Sequence, residues 1–269
     1  MEKQSYREIP FNYTSADDAQ VVRLLLGDET WKVLEDLRSH RVTGRSARLV
    51  MRFFGEVFII RRNPFLYEEL VDSPKRRRRF AGNARAELET VRRKSDGNQS
   101  VIELVDRCCR LLDEVENEIA ATPRKRKAFR KVVGNVIGES NVFFDPFTRV
   151  GHATDATDWR LYLPFAVVCP DAEMQVPDLI RTISQLGYKL IPRGAGTGLT
   201  GGCVPVRPEC VILNTEKLNR ISGIREEETR GRRFFVLETE AGVITENAIR
   251  YASEHNLAVS YTHLTLPTN

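Results

Sequence analysis

No stretch of about 18 consecutive apolar residues occurs in this 269-residue chain, so no transmembrane helix is expected. The opening MEKQSYREIPFNYTSADD is charged and has no apolar centre, which argues against a secretory signal and makes the cytoplasm the expected location. Histidine is scarce. His40, His152, His255 and His263 stand apart from one another, so no histidine pair offers a metal site, and His152, Asp155 and Asp158 read as polar contacts leading into the carboxy-terminal half. The five cysteines, Cys108, Cys109, Cys169, Cys203 and Cys210, contain no CxxC pair. They read as reduced, mostly buried thiols, and they lack the clustering that an iron–sulfur centre needs.

Charge is present but uneven. Residues 1–150 carry 29 Lys/Arg and 23 Asp/Glu, a balance of +6, and residues 151–269 carry 12 and 14, a balance of −2. The chain therefore divides into two units with different surfaces. In the first, Ser15 to Asp18 reads as a capping box before AQVVRLLL. Further helices are expected from Asp28 to Ser39, and from Thr43 to a carboxy-terminal cap at Gly55. EVFIIRR, Glu56 to Arg62, is rich in β-branched and aromatic residues and predicts a short strand. From Ser100 to Ala121, Val101, Leu104, Val105, Cys108, Leu111, Leu112, Val115 and Ile119 recur at three- and four-residue steps, the pattern of one apolar helix face. Pro123 is expected to end that helix or to start the next.

Beyond about Asn141 the texture becomes mixed. NVFFD, LPFAVVCP, YKLIP, CVILNT and FFVLETEAGV read as strands, and AEMQVPDLIRTISQLG and ITENAIRYASEHN as helices. Glu226 to Glu228 with Arg230, Arg232 and Arg233 reads as a hairpin loop. The expected class is α+β: a mainly helical amino-terminal domain, residues 1–145, then an α+β domain from 146 to 258. The boundary should lie near 135–155.

One segment concentrates the chemistry. IPRGAGTGLTGG, Ile191 to Gly202, has five glycines in its last nine residues. Gly196, Gly198 and Gly201 satisfy GxGxxG after a strand, but a Rossmann turn must open a helix, and the two prolines and β-branched run of GCVPVRPECVILN leave no room for one. No Gly-Lys-Ser/Thr triplet closes a Walker loop. What remains is an anion cradle: glycines admit positive φ and close backbone approach, and successive N–H groups form a positive nest suited to a pyrophosphate. Thr197 and Thr200 add hydroxyl donors, and Arg193 adds charge or pairs elsewhere. A tight turn without a ligand is the plainer alternative.

From about Asp155 to Asn256, on DATDWR, LPFAVVCP, IPRGAGTGLTGG, CVILNT and VLETEAGV, the sequence resembles the first half of the vanillyl-alcohol-oxidase-type FAD-binding domain, as in the D-lactate dehydrogenase and glycolate oxidase flavoprotein subunits. The resemblance implies FAD as cofactor, held at the pyrophosphate by backbone amides. It implies binding roles for Pro192, Arg193, Gly194, Ala195, Gly196, Thr197, Gly198, Leu199, Thr200, Gly201 and Gly202, with Gly242 at the family's turn ahead of a helix. It implies oxidation of a small 2-hydroxy acid by the whole protein. The earlier stretches REIPFNYTSADD and RVTGRSARLVMRFFGEVFIIRRNPFL resemble the amino-terminal extension of very large bacterial oxidoreductases, in which iron–sulfur segments lie farther along the chain. The half of the flavin domain that cups the isoalloxazine ring and the substrate domain with its catalytic histidine have no counterpart here, so no catalytic residue is named. VSYTHLTLPTN, Val259 to Asn269, does not resemble the family's continuation and reads as a non-native tail of a truncated frame.

The basic clusters Lys75–Arg79, Arg92–Lys94 and Arg124–Lys127 support a second reading, a non-enzymatic module that docks a protein partner or nucleic acid. No nucleic-acid motif accompanies them, so specific nucleic-acid binding is not expected, and no oligomeric state follows from the sequence.

Overall fold

A computed structural model describes residues 18–39, 44–157, 162–229 and 231–259. The expected capping box at Ser15 falls mostly outside these residues, as do His40, Asp158, His263 and the tail from residue 260. Six helices open the described chain: α1 Asp18–Leu26, α2 Asp28–Ser39, α3 Gly44–Arg62, α4 Pro64–Asp72, α5 Pro74–Arg93 and α6 Gln99–Ile137. Two helix starts share one local device. Asn63 and Ser73 cap the amides of the following turn with their side chains, and Pro64 and Pro74 occupy the first helical position, where a missing N–H costs nothing.

The strand expected at Glu56–Arg62 is instead the last third of α3, and Gly55 lies inside that helix rather than capping it. Val50, Phe53, Phe54, Val57 and Phe58 are all buried, at the i, i+3, i+4, i+7, i+8 spacing of a helix face. Tertiary burial of that face overrides the local β propensity of Val57, Phe58, Ile59 and Ile60. Pro123 likewise fails to stop α6, which continues to Ile137. The turns on both sides are anchored: Ile119 is buried in the helical core and Phe129, Val133 and Ile137 in the core under the sheet. That burial outweighs the hydrogen bond the proline removes. One helix thus contributes to both cores.

The second unit contains β1 Val142–Phe143, α7 Pro146–Gly151, β2 Ala166–Val168, α8 Val176–Gln185, β3 Lys189–Arg193, β4 Cys210–Asn214, β5 Ile221–Thr229, β6 Arg232–Thr239 and α9 Thr245–Glu254. The first four strands form a sheet in the order β1-β2-β4-β3. β4 runs parallel to both β2 and β3, pairing Val211 with Ala166 and Leu190, and β1 is antiparallel to β2. On one face Ala166, Val168, Val211 and Leu213 pack on Leu179 and Ile183 of α8 and on α6. The alternation is that of a half-covered strand: Val167 and Ile212 fall in a separate cluster on the other side. Gly187, at φ +83°, ends the α8 segment as expected.

β5 and β6 form a separate antiparallel ribbon. Glu226–Glu228 lie within β5, not in a hairpin loop; Thr229 pairs with Arg232, and Gly231 is at φ +72°. The charges that look like loop composition pair along the ribbon, Arg225 with Glu227 and Glu238, and Arg233 with Glu226.

Candidate functional site: the glycine loop and its supports

β3 and β4 are parallel neighbours, so their carboxyl ends, Arg193 and Asn214, lie side by side. In open sheets of parallel strands this edge is where ligands bind. The glycine loop leaves it directly from β3 and returns to β4 without an intervening helix, as the rejection of a Rossmann turn requires. Among the described residues, no hydrogen bond takes a backbone N–H of Gly194 to Gly202. Nine consecutive donors are therefore not used up by those residues. Thr197, Gly198, Leu199 and Thr200 are exposed, Leu199 at 57%.

The glycines fall into two groups. Gly196 and Gly201 adopt φ +70° and +74°, a region side chains rarely enter. Gly196 has a further constraint, since a Cβ there would lie 2.2 Å from an Arg193 guanidinium nitrogen. Gly194, Gly198 and Gly202 have neither constraint. Their φ is outside the left-handed region, and a Cβ would meet nothing closer than 3.9, 3.8 and 3.8 Å. The chain's own packing does not require glycine at these three positions.

Pro192 is the last residue but one of β3, opposite Leu213. The Arg193 side chain does not reach out over the loop. It turns back, donating to the carbonyl oxygens of Thr154 and, at 3.2 Å, Gly151, at the end of α7. Thr154 begins the segment that runs on under the loop, where the Ala156 N–H donates to Gly198 O at 3.1 Å. Asp155 is buried, and its Oδ1 accepts from the Thr157 amide and hydroxyl. Burial alone would push its pKa up, but the Thr157 bonds and the Cys203 amide outweigh it, and the carboxyl sits below its ordinary value. Asp155 is thus held as an anion beneath the loop by Thr157, while its Oδ2 is buried without a hydrogen-bond partner among the described residues.

Gly242 joins the site from the other side. Its N–H donates to Leu218 O at 2.7 Å, and the Thr215 hydroxyl bonds the Ala241 carbonyl at 3.3 Å. A Cβ at Gly242 would lie 1.8 Å from Thr215 O. Glycine is required here by the close crossing of two backbone segments at the exit of β4.

His152 makes polar contacts through both ring nitrogens. Its Nδ1 donates to Thr148 O at 2.7 Å, which leaves Nε2 to accept from the Asn214 amide at 2.8 Å. Burial, with Arg193 nearby, holds the imidazole below its usual pKa, so it is neutral at pH 7. Asn214 lies in the CVILNT stretch, which gives it no individual role, and Arg149, treated below, lies in no quoted motif; their three-dimensional neighbours give both their meaning.

The basic clusters are partly tied into the fold. Arg76 pairs with Glu69, Arg92 with Asp106 and Arg126 with Glu68. Among the described residues no group of His, Cys, Asp and Glu could hold a metal ion, and no helix is long and apolar enough to cross a membrane.

Two family models match separate parts of the chain. Residues 4–117 match a family described as a protein of unknown function, DUF3683. Residues 164–268 match the FAD binding domain family, and the match takes in the tail that the sequence reading sets apart at Val259. A putative mitochondrial D-lactate dehydrogenase of Schizosaccharomyces pombe is 34% identical over 85 residues, 32% of this chain and 15% of that protein. Glycolate oxidase subunit GlcD of Bacillus subtilis is 29% identical over 109 residues, 40% of this chain and 22% of that protein. The mitochondrial D-2-hydroxyglutarate dehydrogenase of Arabidopsis thaliana is 32% identical over 115 residues, 42% of this chain and 19% of that protein. The chain spans about a fifth or less of the length of these relatives. The residues that carry a glycine loop at the carboxyl edge of a parallel sheet are thus those that match the FAD binding domain family, 164–268.

Proposed function

We propose that this chain is part of a flavin oxidoreductase and that its glycine loop holds the FAD pyrophosphate. The observation that carries the reading is the second group of glycines. Gly194, Gly198 and Gly202 are bare although the fold has room for a Cβ at each, and bare backbone that the fold does not need is backbone kept clear for a ligand. The N–H groups from Gly194 to Gly202 suit a diphosphate, with the Thr197 and Thr200 hydroxyls as further donors. Pro192, Ala195 and Leu199 complete the loop around it. Arg193, Gly196 and Gly242 shape the cradle rather than reach the ligand.

When bound, FAD supplies a two-electron acceptor for the carbon bearing the hydroxyl group of a 2-hydroxy acid. This chain's residues bind and orient the cofactor. The relatives' names support a D-lactate, glycolate or 2-hydroxyglutarate type of substrate for the whole protein. We take the chain to be a fragment of a cytoplasmic parent that rests at most peripherally on a membrane, with any iron–sulfur cluster in the part not present here.

FAD titration of the chain, followed by flavin fluorescence, tests the reading. Gly198→Ala and Gly202→Ala should melt within about 1–2 °C of the parent, because the Cβ is accommodated, yet bind FAD at least about tenfold more weakly, a loss of about 1.4 kcal/mol. Unchanged FAD affinity in both variants would remove the basis for placing the diphosphate on this loop. The chain by itself should show no turnover of D-lactate with a dye acceptor.

A further inference from the structure

The helical unit reaches the glycine loop through a buried ion cluster. Glu68 of α4 accepts a two-pronged contact from Arg126 of α6, 2.6 Å on one prong, and a third bond at 3.3 Å from Arg149 of α7. Arg149 also donates from Nε to the Pro164 carbonyl at 2.8 Å, just ahead of β2. The three side chains are 10–16% exposed. Two guanidinium groups thus share one carboxylate away from water. Without that carboxylate they would repel each other at close range.

α7 is only six residues long; apart from the edge-on contact of Phe147 with Phe65 of α4, two further attachments lead to the loop. His152, at its end, is held by Asn214 of β4. The carbonyls of Gly151 and Thr154 are the two acceptors of Arg193, and that guanidinium fills the space beneath Gly196. A shift of α7 therefore moves the groups that seat Arg193, and with it the left-handed turn of the loop.

We propose that Glu68, in the helical unit, is a positioning residue for the dinucleotide loop, acting through Arg149, α7 and Arg193. The helical unit is then a structural part of the cofactor cradle rather than an independent attachment. As far as it concerns FAD, the proposal rests on the pyrophosphate reading above; as far as it concerns the loop, it stands without it.

The test uses the full chain with Glu68→Gln, Arg193→Met and the double variant. Three quantities are read: hydrogen exchange, without FAD, of the Ala156, Val204 and Thr215 amides, which donate to the loop carbonyls of Gly198, Gly201 and Arg193, the FAD dissociation constant, and the melting temperature. Glu68→Gln should speed exchange in the loop and weaken FAD binding by about 2- to 30-fold, the range expected for a residue that couples to a distant site. The double variant should be no worse than Arg193→Met in either loop measurement, because both substitutions release one strap, while their effects on melting add. Loop exchange at the parent rate in Glu68→Gln, or loop effects that add in the double variant, would overturn the proposal and leave Glu68 a purely structural pair. If the parent chain binds no FAD, the pyrophosphate reading fails, and loop exchange alone still decides the positioning role. If Glu68→Gln does not fold, Arg149→Lys takes its place, since lysine keeps the charge but cannot hold Glu68 and the Pro164 carbonyl in the same planar geometry.

Discussion

Replacing Gly242 by alanine puts the close crossing at the exit of β4 to a direct test. The added Cβ would lie 1.8 Å from Thr215 O, 2.7 Å from Thr215 C and 2.9 Å from Leu218 O. Carbon and carbonyl oxygen normally approach no closer than about 3.3 Å, so the two backbone segments must part by about 1.5 Å. All three obstructing atoms are main chain, and no rotamer change relieves them. Parting the segments breaks the Gly242 N–H bond to Leu218 O and strains the Leu218 N–H bond to Thr215 O, 2.7 and 2.9 Å in the native fold. Overpacking of this kind costs about 1–3 kcal/mol, and each lost hydrogen bond about 0.5–1.5 kcal/mol. The sum is about 2–5 kcal/mol, which for a chain of this size lowers the melting temperature on the order of 10 °C. Thermal unfolding followed by circular dichroism, with Gly198→Ala as the control whose Cβ makes only an ordinary contact at 3.8 Å with Asp155 Oδ2, reads the difference. A Gly242→Ala protein that melts with the parent would show that the crossing is not tight and that glycine is there for another reason.

The remaining predictions concern titration and reactivity. His152 has a folded-state pKa below its unfolded value, so the unfolded chain takes up the proton first; stability is flat above about pH 6.5 and falls as the pH drops from there through the folded pKa. His152→Gln should remove that fall between about pH 6.5 and 5, a window above the titration of Asp145, Asp155 and Asp171, whose carboxyls all sit below their ordinary values; equal slopes in the two proteins would refute the assignment. Among the thiols, Cys203 is half-exposed in the loop, whereas burial pushes Cys169 up to about 11 and Cys108 still higher. A thiol reagent should therefore label Cys203 ahead of Cys108, Cys169 and Cys210, and FAD should slow that labelling; early modification of Cys169 would contradict the burial of β2's exit.

Much of the architecture is legible in residue order because it depends on short-range chemistry. The α6 stripe, the hydrophobic runs of β2 and β4 and the glycine stop at Gly187 each follow from the periodicity or backbone freedom of a few neighbouring residues. The Asn63–Pro64 and Ser73–Pro74 pairs are local start signals for α4 and α5. The misread pieces are those in which a distant partner decides. Val57 to Ile60 favour a strand locally and become helix because that face is buried, and Glu226–Glu228 look like a loop until β6 supplies opposite charges.

The sequence by itself determined that a glycine-rich turn without a following helix joins two strands, because backbone freedom and the bar to helix formation are properties of those residues alone. Only the tertiary structure decided what each glycine is for and where the charges go. It separates Gly196 and Gly242, required by left-handed backbone or close crossing, from Gly194, Gly198 and Gly202, which are not. It turns Arg193 away from the loop's open side and brings Glu68 to Arg149 across 81 positions of chain. Contacts between residues so far apart are set by how the helices and sheet pack, and no local pattern records them.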